Sequence, residues 1–284
     1  MANEDPLISV IIPNRNRTEV LYRAVKSLID QSYKNWEIII VDDSDEIIFQ
    51  EIDGKYKAMQ NIHVYRGDRK GPAPAQCKGF ALSKGEFVAF LDSDDYWDAK
   101  KLKKHVAMLL GHSDIALSWD NLYVEMLNGE KIKIKPFNFH CGSDVIPPEV
   151  ILKELIKENF IHMSCGVIRR DAITAVHGPF MDSPFDYVLW INLATRYPFA
   201  HLQEYFTTKT ERLDSLGFNK RILFMENWNI TRLKVKVLLG NHNEFSIGEL
   251  VMSLIRTTIM SVGIHLLLPQ NLRKFLRPIL FLRE

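Results

Sequence analysis

Apolar positions in the first third of the chain fall into short runs, each closing on polar residues. Residues 7–13 (LISVIIP) are apolar and largely β-branched, the pattern of a strand buried on both faces. The spacing then changes to Leu21, Val25, Leu28 and Ile29, one face of a helix that Thr18 is placed to cap. Residues 36–41 (WEIIIV) repeat the strand pattern and end on Asp42-Asp43. A helix is predicted near 47–59, a third strand at 62–65, a Gly/Pro loop at 67–74 and a helix over 75–83. The fourth strand, 86–91, follows. Strands alternating with helices imply βαβ crossovers and a mostly parallel sheet. Residues 1–110 therefore read as a Rossmann-like half, with an α/β fold.

The pattern changes beyond Lys100. An amphipathic helix opened by Asp98 leads into alternating stretches at 115–126 and 131–135, which predict antiparallel strands. A helix follows Pro148, residues 165–170 (CGVIRR) predict a strand, and 186–196 have helical spacing with Val188, Leu189 and Leu193 inward. Past Gly217 the pattern is helical and basic. The expected organisation is a donor-binding half (1–110), an acceptor-binding half (111–216) and a basic amphipathic helical region (217–284).

Three polar clusters sit where strands end: Asn14-Arg15-Asn16, Asp42-Asp43 and Asp92-Ser93-Asp94. In open α/β sheets ligands bind outside the carboxyl ends of strands, so the co-location marks one cleft. No GxGxxG follows the first strand, which argues against a dinucleotide cofactor. The segment FVAFLDSDDYWD crowds Asp92, Asp94, Asp95 and Asp98 behind an apolar strand. A hard divalent cation, Mn²⁺ or Mg²⁺, would offset the repulsion while binding a substrate phosphate. The plainer reading is a solvated turn.

Taken together, SVIIPNRNR, WEIIIVDDS, GPAPAQCKGFALSKGEFVAFLDSDDYW and FDYVLWINLATRYPF resemble the family 2 glycosyltransferases, over residues 7 to about 205. The resemblance implies a GT-A fold and an inverting transfer of a sugar from a nucleotide diphosphate. It places Pro13, Asn14, Arg15, Gln76 and Ser93 around the nucleotide sugar. Asp42 or Asp43 would meet the base, by default uracil. Asp92 would approach the ribose, Asp94 the metal, and Asp95 the sugar, or support the site from behind. Asp186 matches the general base, with Asp182 as the runner-up. The chain departs from the family pattern in four places: Asn14-Arg15-Asn16-Arg17 lacks the usual aromatic, the turn Asp42-Asp43-Ser44-Asp45 is shortened, Gln76 stands where an arginine is usual, and Phe185 where a second carboxylate is usual. Arg15 is the expected substitute for the lost arginine. Trp190 is open as core or acceptor wall, and His162 and His177 read as structural ahead of ligating.

Composition adds a compartment and a partner. Formal net charge is +1, yet from Gly217 onward ten Lys/Arg face four Asp/Glu, a net of +6 against −5 for the remainder. An acidic body excludes a nucleic-acid groove through the main domain, and a basic tail suits an anionic surface. Residues 271–282 (NLRKFLRPILFL) set Arg273, Lys274 and Arg277 among aliphatics and Phe275, a membrane-surface pattern, although a helix covering the core has the same signature. Residues 248–269 are broken by Arg256 and His265 and do not read as a membrane span. Cys77, Cys141 and Cys165 show no CxxC spacing, and no secretory signal is evident, so a cytoplasmic protein at the inner membrane face is expected. The acceptor would then be a glycan hydroxyl on a lipid-linked intermediate. The competing class is a non-catalytic nucleotide-sugar or glycan-binding module.

Overall fold

The computed structural model describes residues 5–134, 143–176 and 185–211. The first half is built as the apolar runs require. Strand β1 (Ile8–Asn14) precedes helix α1 (Thr18–Ile29), and β2 (Trp36–Asp42) precedes α2 (Glu46–Tyr56). Next come β3 (Ile62–Arg66), α3 (Pro72–Leu82) and β4 (Phe87–Phe90). Every residue of β1, β2 and β4 is buried, which is why these strands lack polar alternation. Helix α1 begins at Thr18 with Arg17 in the capping position and no side-chain cap, so Thr18 is not the cap. Helix α3 starts three residues before its predicted position, because Pro72 fits the first turn, where no N–H is needed. It lies so close to β1 that a Cβ on Gly79 would come within 2.4 Å of Ile11 Cγ2.

The second half is β5 (Tyr96–Trp97), α4 (Lys101–Gly111), β6 (Leu117–Glu125), β7 (Lys131–Lys133), β8 (Val145–Ile146), α5 (Pro148–Lys157), β9 (Gly166–Arg169), α6 (Arg170–Ala175), α7 (Phe185–Ala194) and β10 (Phe199–Thr210), with a 3₁₀ turn at Met163–Cys165. Asp98 does not cap α4 itself. Its carboxylate accepts from Lys100 N at 2.9 Å, in the turn ahead of the helix.

One ten-stranded sheet joins both halves, in the order β3-β2-β1-β4-β9-β6-β10-β5, with β7 on β6 and β8 on β10. Strands β1 to β4 are mutually parallel, β9 is antiparallel to β4 and β6, and β10 runs parallel to β6. The alternating segments were expected to be antiparallel, and the β6–β7 hairpin is so. The β6–β10 pairing is parallel because the chain crosses over through α5, β9 and α7 before returning. Strand order reverses at β1, which has β2 on one side and β4 on the other. The register sets Asn14 opposite Asp42, and Leu91 N bonds Ile11 O, so all three polar clusters emerge at this one switch point. Apolar layers cover both faces of the sheet.

Candidate functional site

At the ends of β1 and β2, Asn14 Nδ2 donates to Asp42 Oδ1 at 2.8 Å and Ser44 Oγ donates to the same oxygen at 2.5 Å. Asn14 Oδ1 and Asp42 Oδ2 are buried with no hydrogen-bond partner among the described residues. Leaving buried acceptors unpaired costs about 1–3 kcal/mol each, a cost that a ligand's donors would relieve. Burial pushes the Asp42 carboxyl above its ordinary range, although Ser44 and Asn14 oppose the shift. Asp43 is 5% exposed and its Oδ1 accepts from Arg69 N at 2.9 Å. Gly67 is required beside it, because a Cβ there would lie 1.9 Å from Asp43 Oδ1. Pro13, Gln76 and Ser93 are all buried around this floor.

The acidic turn after β4 carries the strongest field. Asp92 keeps 37% of its side chain exposed to the cleft. Burial of the group, then the neighbouring Asp94 carboxylate, pushes its pKa up to about 7, with Asp186 adding to the rise and Lys209 and Arg17 opposing it. Asp186, at the start of α7, is therefore near enough to the acidic turn for its charge to act on Asp92. Asp94 Oδ2 accepts from Arg17 Nη1 at 2.6 Å. Asp95 is 1% exposed: its Oδ2 accepts from Ser164 Oγ at 2.7 Å and its Oδ1 from Thr210 N at 3.3 Å. That placement suits support from behind, not a direct contact with a sugar. Asp186 Oδ1 accepts from Tyr187 N at 2.7 Å and Oδ2 from Asn159 Nδ2 at 3.2 Å, so it is oriented at the helix start.

Two residues bring signals the sequence did not supply. His162 lies with Nε2 4.0 Å from Asp92 Oδ2 and Nδ1 3.7 Å from Asp95 Oδ2. Burial, then the Lys209 charge, pulls its pKa down to about 3, so the ring is neutral. Asp92, Asp95 and His162 each offer an atom within 4.8 Å of the others; the carboxylate oxygens suit a hard cation such as Mn²⁺ or Mg²⁺, and the imidazole does not add to that preference. Lys209 is the second. Thr207 Oγ1 reaches Ser164 O at 3.3 Å, and Lys209, one pleat further along β10, shares that face. Its ammonium acts on Asp92, Asp95 and His162 together.

Beneath the cleft lies a buried charged layer. Lys101, 0% exposed, bonds Asp120 Oδ1, Cys165 O at 2.9 Å and Thr207 Oγ1 at 3.2 Å. Asp120 Oδ2 accepts from Phe206 N and Thr207 Oγ1, both at 2.9 Å. Two expectations change here. Arg15 is exposed, whereas Arg17 reaches the acidic turn through Asp94. Trp190 is 0% exposed with Nε1 bonded to Ile161 O at 3.0 Å, which makes it core and not an acceptor wall. Burial raises the Cys77 thiol to about 11, in keeping with a packed, unreactive residue. His177, Asp182, Cys141 and the region after residue 211 lie outside the described residues.

With this geometry in place, the comparisons with known proteins become informative. The profile of "Glycosyl transferase family 2" matches residues 9–176. The chain is 32% identical over 190 residues to the UDP-Glc:alpha-D-GlcNAc-diphosphoundecaprenol beta-1,3-glucosyltransferase WfaP of Escherichia coli, covering 67% of this chain and 71% of that protein. It is 28% identical over 234 residues to WfgD of E. coli, which bears the same glucosyltransferase name, covering 80% of this chain and 86% of that protein. The solved structure of S. aureus TarS 1-349 in complex with UDP-GlcNAc superposes with a TM-score of 0.67 at 19% identity, covering 96% of this chain and 78% of that one. The longer S. aureus TarS chain gives 0.64 at 20% identity, and this chain spans 47% of its length. At such identities the structural likeness speaks to the fold alone, and that fold is GT-A.

Proposed function

This chain belongs to glycosyl transferase family 2, and from that premise we propose an inverting transfer of a sugar from a UDP-linked donor to an acceptor hydroxyl. The lipid-linked glycan named for the E. coli relatives is the acceptor class we propose, in surface-polysaccharide assembly at the cytoplasmic face of the membrane. The observation that carries the reading is the nearness of Asp186 to the acidic turn, since the chemistry needs a base on one side of the sugar and charge control on the other.

Each side chain then has a task. Asp186, held by Asn159 Nδ2 and Tyr187 N, accepts the proton of the attacking hydroxyl as its oxygen bonds the anomeric carbon. The bond from that carbon to the diphosphate oxygen breaks on the opposite face, so configuration inverts and no covalent enzyme intermediate forms. Asn14 Oδ1 and Asp42 Oδ2 are the buried acceptors available to donors on the base. Arg17 and Lys209 bring positive charge to the leaving diphosphate. Mn²⁺ or Mg²⁺, when bound, would stabilise the charge developing there. Asp92 and Asp94 would hold it, Asp94 once Arg17 turns to the phosphates, with Asp95 supporting the turn from behind.

The test is transfer or slow hydrolysis of UDP-sugars by purified protein. Asp186→Asn is expected to lower the rate by about 10²- to 10⁴-fold with donor affinity retained. Donor binding with no turnover in wild type would instead assign a non-catalytic sugar-nucleotide module.

A further inference from the structure

One buried serine ties together groups from separate stretches of chain. Ser164 is 0% exposed. Its Oγ donates to Asp95 Oδ2 at 2.7 Å and accepts from Asp92 N at 3.2 Å, so one oxygen holds both a carboxylate and a peptide of the acidic turn. Its own N–H donates to His162 Nδ1 at 3.4 Å, so in the neutral ring Nε2 carries the proton and turns it toward Asp92 Oδ2, 4.0 Å away. Its carbonyl accepts from Trp97 Nε1 at 2.8 Å, locking the 3₁₀ turn to β5. The Lys101 ammonium fixes the next carbonyl, Cys165 O, at 2.9 Å.

We propose that Ser164 is a positioning residue, whose hydroxyl sets the spacing of Asp92 and Asp95 and thereby the affinity of this end of the cleft for a divalent cation with a nucleoside diphosphate. The inference rests on the donor-and-cation reading of the site. Two carboxylates this close repel unless their orientations are fixed. Removing Oγ takes the donor from Asp95 Oδ2 and the acceptor from Asp92 N in one step. Groups that orient cation ligands in this way commonly change affinity 10- to 100-fold when lost.

The experiment titrates Mn²⁺ into the full chain with UDP present, reading free Mn²⁺ by electron paramagnetic resonance, alongside thermal melting. Ser164→Ala is expected to weaken Mn²⁺ binding about tenfold or more. Ser164→Cys, which keeps the volume but offers only a weak donor, moves the same way and serves if the alanine variant does not fold. Trp97→Phe removes a different hydrogen bond to the same residue and should lower the melting temperature while leaving Mn²⁺ affinity unchanged. Wild-type affinity in the serine variants overturns the inference alone, as does an equal loss in Trp97→Phe. No Mn²⁺ uptake by wild type overturns the cation reading and this inference with it.

Discussion

His105 makes the layer under the cleft sensitive to acid. Its ring is fully buried, with Nε2 3.3 Å from Lys101 Nζ, and burial followed by that ammonium pulls its pKa down to about 4. The unfolded chain binds a proton at the ordinary value near 6.5, so the stability this group contributes is present above that pH and is lost as pH falls toward 4. The amount is on the order of 3 kcal/mol. Asp92 acts in the opposite sense: its raised folded pKa makes its contribution fullest at low pH and loses it as pH rises from 3.8 toward 7. The two are separated by comparing wild type with His105→Gln, which keeps an acceptor for Lys101. Denaturant unfolding should show the gap between them shrinking as pH drops from 6.5 to 4. A gap independent of pH would rule out His105 as the acid-sensitive group.

At the scale of elements, α4, β6 and β10 are joined by charge as well as apolar contact. Lys101 on α4 meets Asp120 on β6, and Asp120 in turn accepts from Phe206 N and Thr207 Oγ1 on β10. A buried pair adds little over an apolar replacement, but breaking it strands a charge. Asp120→Ala should therefore cost about 3–5 kcal/mol in urea unfolding, and the double variant Lys101→Met with Asp120→Leu should recover most of that. Equal destabilisation by single and double variants would exclude the unpaired charge as the cause. The elements also mark where sequence patterns carry information. Strands β1, β2 and β4 were legible because burial on both faces leaves continuous apolar runs. Strand β10 was not: Gln203, Glu204 and Tyr205 interrupt its burial where its register with β6 shifts, so neither alternation nor an unbroken run appears.

For the whole molecule, the uneven charge sets how it meets a surface. Among the described residues no helix is long and apolar enough to cross a membrane. The basic region from Gly217 lies outside them, and its net +6 motivates a direct test of binding to an anionic surface. Each basic residue near such a surface is worth about 1 kcal/mol. Replacing Arg273, Lys274 and Arg277 by Glu in the full chain should abolish cosedimentation with phosphatidylserine-containing vesicles and leave binding to neutral vesicles unaltered. Undiminished binding to the anionic vesicles would show that this segment is not the contact.

The linear order of residues determined the parallel half-sheet, the three strand-end clusters and Asp186 as the candidate base, because burial patterns and short motifs are local and survive in one dimension. Tertiary structure alone decided the rest. Arg17 and not Arg15 reaches Asp94, since the turn between β1 and α1 points the later arginine at the acidic loop. Asp95, left open by the motif between a sugar contact and support from behind, turns inward to Ser164 and Thr210. Ser164, His162, Asp120 and Lys209 converge on the cleft from segments far apart in sequence, and a lone serine, histidine or lysine carries no local periodicity to betray it. The acidic turn shows in the sequence that a charge must be balanced; only the folded chain shows which residues stand around it.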